Sequence, residues 1–165
     1  MNDTGYIKMN RDEWVTYLDT TPYKTETWEK LGVGITELAI EQNPSIESEK
    51  WIIERTSRHI HESNEKTSSV SQSIYTNDPC YKFIEAGRDK LNYRTHILDI
   101  DMTRKSESGD KFYAEKSDGL IAVTSWMGEN ATVEFDLYWE GDKEVGYVTL
   151  EAGKPTFTKG DYSAP

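Results

Sequence analysis

The sequence of 165 residues is poor in cysteine, in long apolar runs and in basic charge. Its single cysteine, Cys80, can form neither an internal disulfide nor a multi-thiolate metal site, so we expect a reducing compartment and no metal site. No run approaches the roughly 20 apolar residues of a membrane span, and the mean hydropathy is −0.78. The first thirty residues hold no apolar signal region. We therefore expect neither a membrane partner nor secretion.

The charge balance is strongly acidic, with 19 basic and 30 acidic residues and a net charge of −11. Because carboxylates repel phosphates, this excess disfavours a protein that grips nucleic acid through a basic face. Residues 106–165 carry −7 of that charge, from 12 acids and five lysines. Disorder is disfavoured because aromatic residues make up 12% of the chain. We expect one folded domain over residues 1–165.

Apolar and polar residues alternate along most of the chain, which is typical of strands with one buried face. In residues 133–140 the apolar side chains take odd positions and the carboxylates even ones. Residues 36–41 and 97–102 show a similar alternation. We expect carboxylates on the solvent-facing side of these strands, namely Glu37, Glu41, Asp99, Asp101, Glu134, Asp136 and Glu140.

Other segments are predicted to be strands from their β-branched and aromatic residues, namely 48–54, 67–75, 111–116, 120–126 and 145–150. Asp118-Gly119 and residues 140–142 have turn chemistry between such runs. Residues 111–150 are therefore predicted to form consecutive hairpins.

One segment has the periodicity of a helix. Asp78 is a predicted N-cap and Pro79 the first helical residue, so we predict a helix over about residues 79–91. Its apolar stripe is expected to cover one end or face of the strands, and consists of Cys80, Phe83, Ile84 and Leu91. The predicted fold class is mainly β, a β-sandwich or small barrel with this one flanking helix.

A long polar segment, residues 43–66, separates two predicted strands, and such segments are uncommon in compact domains. We predict an extended arm or a long hairpin there. Its candidate contact residues are Trp51, Ile52, Ile53, Arg55, Arg58, His59 and His61. The polar ends, residues 1–10 and about 155–165, are predicted to be flexible.

Metal-binding signals are weak. His59, His61 and Glu62 could ligate a metal from one strand face, but the neighbouring Arg55 and Arg58 disfavour a cation, so solvated histidines are the better interpretation. Asp99 and Asp101 form a D-x-D pair, a pattern that some sugar-transfer enzymes use to hold a divalent metal. Strand alternation explains this pair more simply, so we predict no metal site.

Catalytic signals are also weak. Cys80 at a helix start could be a nucleophile with a histidine as base, although its place in the apolar stripe favours a core thiol. The carboxylates of residues 134–140 could act as acid and base only within a cleft. Trp126 and Trp139 could stack on a sugar ring, although such residues are more often core. We predict a protein that is not an enzyme and has no cofactor.

Three segments, taken in order, resemble bacteriophage tail tube proteins, namely Trp28–Leu38 (WEKLGVGITEL), Glu41–Glu47 (EQNPSIE) and Asn77–Ile84 (NDPCYKFI). Members of that family are similar in a strand with a glycine turn, an acidic strand ending in Asn-Pro, a long arm, and a helix that starts with Asp-Pro. The resemblance spans about residues 28–150. Residues 53–65 depart from the family pattern, since they are richer in histidine and charge.

The resemblance implies a structural virion protein that forms six-membered rings, and these rings stack into a hollow tail tube that carries DNA. It implies contacts between rings through the arm and the chain ends, and carboxylates on a lumen that repels the duplex. The implied partners are other copies of the chain, a tape-measure protein, tail-tip or baseplate proteins, a tail terminator and passing double-stranded DNA. The implied location is the virion tail, after assembly in the host cytoplasm. The alternative is a β-sandwich module that binds carbohydrate or protein.

Overall fold

The computed structural model describes residues 5–160, and it is mainly β, as predicted. After a 3-10 turn at Arg11–Glu13, the elements follow in chain order: β1 Trp14–Asp19, β2 Trp28–Lys30, β3 Pro44–Glu49, β4 Arg58–Asn64, β5 Lys66–Ser73, α1 Pro79–Ala86, β6 Tyr93–Lys105, β7 Lys111–Gly128, β8 Thr132–Glu151 and β9 Lys154–Lys159. Within residues 5–160 no helix is long and apolar enough to cross a membrane.

Seven strands form one antiparallel sheet in the order β2-β1-β6-β7-β8-β5, with β9 paired to the second half of β8. The sheet curls until the segment after β2 meets the free edge of β5. Two isolated bridges mark this closure, Ile35 with Gln72 and Glu41 with Thr67. The sheet is thus a nearly closed, barrel-like sandwich, which confirms the predicted fold class.

The sheet has apolar clusters on both faces. One cluster contains Leu18, Ile97 and Phe135 and is covered by α1. The other contains Leu98, Ile100 and Val148, beneath β9. Because both faces of β6 are covered over Ile97–Asp101, alternation along that strand does not separate core from solvent.

The prediction of consecutive hairpins over residues 111–150 is wrong. β7 and β8 form a single long hairpin, and Asp118 pairs with Glu140 in the middle of it. Gly119 is required by packing and not by a turn, since a Cβ there would lie 2.6 Å from Ile97 Cδ1. The turn lies at residues 129–131, where Asn130 and Ala131 have positive φ angles of 61° and 54°.

Three other predictions are wrong. The strand predicted from the alternation in residues 36–41 is absent, because only the isolated bridges of Ile35 and Glu41 pair with β5. The strand predicted at 48–54 ends at Glu49, where the chain turns. Residues 154–159 form β9 with Pro155 buried, so most of the described part of the predicted flexible C-terminal end is a strand. Residues 1–4 and 161–165 lie outside the described residues.

Helix α1 begins as predicted and ends early. The Asp78 carboxylate accepts hydrogen bonds from the backbone N–H groups of Cys80 and Tyr81, both at 3.2 Å. The helix stops at Ala86. Its C-cap residue, Gly87, packs so closely on Tyr93 that a Cβ would lie 2.0 Å from the ring, so this position requires glycine. Leu91 is 93% exposed, so its place in the apolar stripe was wrong. The stripe consists of Cys80, Phe83 and Ile84, which are buried.

Candidate functional site

The outer side of β5 and β8 carries hydroxyls and carboxylates. Ser69 and Ser71 on β5 line a shallow depression of about 390 Å³ together with Glu134 and Asp136 on β8. The Ser69 hydroxyl donates a hydrogen bond of 2.7 Å to Asp136 Oδ1. This side of β5 is open because its exposed residues are small serines, while Val70 between them points into the core.

A second depression, of about 290 Å³, adjoins the first and shares Ser69 and Ser71 with it. Glu37 and Glu41, from the irregular segment after β2, line this second depression. Four predicted solvent-facing carboxylates therefore meet on one surface. We call it the acidic face and define it as Glu37, Glu41, Ser69, Ser71, Glu134 and Asp136.

The composition of the acidic face is that of a surface that repels anions. Among the described residues that line its two depressions there is no lysine or arginine. A phosphate brought here would meet carboxylates and hydroxyls with no cation to pair with. In residues 5–160 no cluster of three or more histidine, cysteine or acidic side chains is suited to hold a metal ion.

The expectation that Asp99 and Asp101 face solvent is wrong. Both are buried, with 4% and 5% of their surface exposed, because the curled sheet covers the second face of β6 as well. Asp99 accepts hydrogen bonds from the Thr16 hydroxyl at 2.6 Å and from Trp139 Nε1 at 2.8 Å. Burial raises the pKa of Asp99, and these two hydrogen bonds oppose that rise.

Asp101 is held locally and Glu140 is paired. Asp101 accepts a hydrogen bond of 3.0 Å from the Thr103 backbone N–H and lies 3.2 Å from Arg104 Nε. Glu140 forms an ion pair with Arg94 and lines neither depression of the acidic face. The acidic face therefore contains four of the seven predicted carboxylates.

Strands β3 and β4 form a separate two-stranded hairpin, Pro44–Asn64, in the predicted arm segment. Every residue of both strands is exposed. At the turn of the hairpin, the Arg58 guanidinium lies 4.1 Å from the centroid of the Trp51 ring and forms an ion pair with Glu54. Ile52 and Ile53 project into solvent. We call residues 50–55 the hairpin tip. Such an exposed apolar tip is a marker of an interaction surface.

The base of the hairpin is firmly held. Asn43, with a positive φ of 40°, donates from Nδ2 to the Glu65 carbonyl at 3.1 Å and to the Thr67 hydroxyl at 2.9 Å. The Glu65 N–H donates to the Gln42 carbonyl at 2.9 Å. These bonds join the hairpin to the edge of β5, so the tip is held away from the body of the domain.

The histidines of the hairpin have no metal-site geometry. His59 and His61 share one side of the hairpin with Ile46 and Ser48, their register partners. His61 Nε2 makes a 2.7 Å hydrogen bond with Asn64 Oδ1. Arg55 lies in the turn and is exposed. The predicted contact residues are therefore all on the hairpin, and all are exposed.

The other candidate groups are built into the fold. The buried thiol of Cys80 lies 3.4 Å from the carbonyls of Glu29 and Lys30, and burial raises its pKa, so it does not resemble a nucleophile. The Trp139 indole bonds internally to Asp99. Trp126 stacks on Tyr81 with 6.1 Å between ring centroids. The Arg88 guanidinium lies over the Trp126 ring, 4.4 Å from its centroid.

One buried polar cluster was missed in the sequence. Asp19 is fully buried and accepts hydrogen bonds from the backbone N–H groups of Thr21 at 3.0 Å and Thr27 at 3.1 Å. His96 Nδ1 lies 3.0 Å from its second oxygen. The signal that could have located it is the Asp-Thr-Thr turn sequence directly after the apolar run of β1.

No protein-family model matches this chain, and no curated protein sequence matches it either.

Proposed function

We propose that this chain is a structural virion protein that polymerises as stacked hexameric rings into the tail tube of a bacteriophage. In this role it has no catalytic centre and no cofactor, and the tube is the conduit for DNA delivery into the host. The observation that carries the proposal is the hairpin whose two strands are exposed at every residue and whose tip exposes apolar side chains.

The hairpin supports assembly on physical grounds. An isolated two-stranded hairpin is marginally stable in water. Within residues 5–160, β3 and β4 have no other strand beside them and bury no residue against the domain. The hairpin tip exposes apolar side chains that a solitary subunit leaves in water. Contact with another copy would bury this surface and stabilise the hairpin.

The acidic face supports a DNA conduit. A tube through which DNA slides must not hold phosphates, and a surface of carboxylates and hydroxyls without cations meets that need. We therefore propose that the acidic face lines the lumen. The remaining partners follow from the resemblance: a tape-measure protein, tail-tip or baseplate proteins, a tail terminator and double-stranded DNA that passes without sequence-specific binding. The location is then the virion tail, after assembly in the host cytoplasm.

Removal of the hairpin tests the proposal. A variant that joins Asn43 to Glu65 through Gly-Gly keeps the hydrogen bonds at the base and deletes β3, β4 and the tip. Because the hairpin buries no residue, we expect the free energy of unfolding to change by less than about 1 kcal/mol. Sedimentation velocity of concentrated protein should show large assemblies for the unmodified chain and only monomers for the variant.

The same experiment addresses the alternative of a binding module. A hairpin with an apolar tip also suits a module that binds a different protein. In that case the unmodified chain and the shortened variant would both sediment as monomers at every concentration. Equal assembly of the two chains would instead show that the hairpin has no part in self-association.

A further inference from the structure

A cavity of about 420 Å³ opens beside β1, between that strand and the irregular segment that follows β2. Its apolar lining comes from Val15, Leu31, Ile35 and Leu38. Thr36 lies at its exposed rim. An engineered cavity of about 150 Å³ is large enough to bind benzene, so this one has room for two branched aliphatic side chains.

The cavity wall also holds an unpaired donor. Trp14 lines the cavity, and its buried indole N–H has no hydrogen-bond partner within the described part of the chain. A buried donor without an acceptor destabilises the protein, so an acceptor that reached this N–H group would be bound favourably. An extended peptide entering the cavity would bring both apolar side chains and backbone carbonyls that could accept this hydrogen bond.

The hairpin tip has the matching properties. Ile52 and Ile53 are 102% and 84% exposed, although they are adjacent aliphatic residues. The segment 50–58 carries three cations and one carboxylate, whereas the whole chain has a net charge of −11. The tip is thus an apolar segment of local positive charge, whereas the cavity lining has two cations, Arg11 and Lys30, and two carboxylates, Asp12 and Glu37. The match at the cavity is therefore apolar, and the electrostatic attraction is to the acidic chain as a whole.

The tip does not occupy the cavity of its own subunit. Full exposure of Ile52 shows that it contacts nothing there, and the hydrogen bonds of Asn43 fix the base of the hairpin. The seven residues of β4 span about 23 Å at roughly 3.3 Å per residue. The occupant suggested by this geometry is a second copy of the chain.

We infer that Ile52 and Ile53 at the hairpin tip of one copy fill the cavity beside β1 of a neighbouring copy. Backbone carbonyls of the tip then accept the hydrogen bond of the Trp14 indole. This inference rests on the proposed self-assembly and specifies which two surfaces meet. Each subunit then contributes its hairpin tip to one neighbour and its cavity to another, so contacts of this kind propagate from copy to copy.

Disulfide crosslinking tests the pairing directly. Cys80 is buried with a raised pKa, so introduced cysteines are the reactive ones. One chain carries Ile52→Cys and a second carries Thr36→Cys, and the two are mixed, concentrated and oxidised mildly. We expect a disulfide-linked dimer that contains one copy of each chain, and a chain with both substitutions should give a ladder of oligomers. Each single variant oxidised alone is the control.

The outcomes separate this inference from the proposed function. Rings or tubes without a mixed crosslink overturn the tip-to-cavity pairing and leave self-assembly intact. A mixed crosslink without rings or tubes supports the pairing and contradicts the tail tube. A disulfide within single chains carrying both cysteines would place the tip in its own cavity and overturn the inference. If neither a mixed crosslink nor any assembly forms, both the tip-to-cavity pairing and the proposed self-assembly are overturned.

A matched pair of substitutions gives a second readout. Ile52→Asp places a charge where the cavity would be filled, and we expect it to raise the concentration needed for assembly at least tenfold. Leu91→Asp makes a comparable change at a site that is 93% exposed but distant in sequence from the hairpin. It should change that concentration by less than twofold. Equal effects of the two substitutions on the concentration needed for assembly would contradict specific binding of the tip in the cavity.

Discussion

Asp99 ties three strands together in the interior of the sandwich. Its carboxylate on β6 accepts hydrogen bonds from Thr16 on β1 and Trp139 on β8. Burial strengthens these hydrogen bonds, but it also disfavours the negative charge of the Asp99 carboxylate. It therefore raises the pKa of Asp99 above the ordinary 3.8. The folded state therefore holds the Asp99 proton more tightly than the unfolded state does.

This linkage predicts a pH-dependent effect of Asp99→Asn. Ionisation of Asp99 destabilises the fold as the pH rises above 3.8, whereas an amide keeps a donor and an acceptor for Thr16 and Trp139 without a charge. In urea unfolding, the stability of the variant relative to the unmodified chain should therefore grow as the pH rises from about 4 to the raised pKa of Asp99, and it should stay constant above that pKa. A difference that is independent of pH would contradict the assignment.

Asp99→Ala serves as the control for the hydrogen bonds. It removes the charge and also leaves the Thr16 hydroxyl and the Trp139 indole without their acceptor. We expect it to be less stable than Asp99→Asn by about 1–3 kcal/mol for each donor left buried and unpaired. The comparison separates the cost of the charge from the value of the two bonds.

Among the elements, α1 shows how packing determines residue type near a helix end. Ile84 is fully buried in the cluster beneath the helix, whereas Leu91 lies beyond the end of the helix in solvent. Gly87 directly follows α1, and glycine is required there because the Tyr93 ring occupies the space a side chain would need. The Tyr93 hydroxyl then donates to the Phe83 carbonyl at 2.9 Å and stabilises this end.

Two truncations to alanine should separate these residues. Ile84→Ala leaves a cavity in the core and should lower the free energy of unfolding by about 2–5 kcal/mol. Leu91→Ala removes only exposed atoms and should change it by less than about 0.5 kcal/mol. Denaturant titration of both variants checks this, and a large loss with Leu91→Ala would place that residue back in the stripe.

At this scale the sequence was sufficient for the fold class and for most strands and the helix, but not for every element or for element limits. Alternation correctly put Leu98 and Ile100 opposite Asp99 on β6, but it could not show that both faces are covered. β1, the run Trp14–Asp19, was missed because five of its six residues are buried and it does not alternate. The turn predicted at Asp118-Gly119 does not form, because pairing with β6 and β8 keeps β7 extended there.

The candidate site was predictable in part for the same reason. Glu134 and Asp136 could be placed on one face from strand period alone. Their meeting with Glu37 and Glu41 depends on the closure of the sheet through residues 35 and 41, which no local pattern encodes. The hairpin was located by its polar composition, whereas its exposed tip was visible only once its surroundings were known.

For the whole molecule, we propose that the acidic face lies on the lumen of a tube, and chemical labelling can test that placement. Ser71→Cys puts a thiol on the acidic face, and Cys80 is buried. In assembled tubes we expect a small maleimide to react and a maleimide with a long polymer chain not to react. In the free subunit both should react. Reaction of the polymer with tubes would put the acidic face outside, and reaction of neither reagent would bury it in an interface.

Negative-stain electron microscopy of the purified, concentrated protein tests directly whether the chain assembles into a tube through its hairpin. We expect hollow tubes of uniform diameter, or six-fold rings, and their absence when the hairpin is deleted. Single globular particles at every concentration, with and without the hairpin, would contradict the proposal.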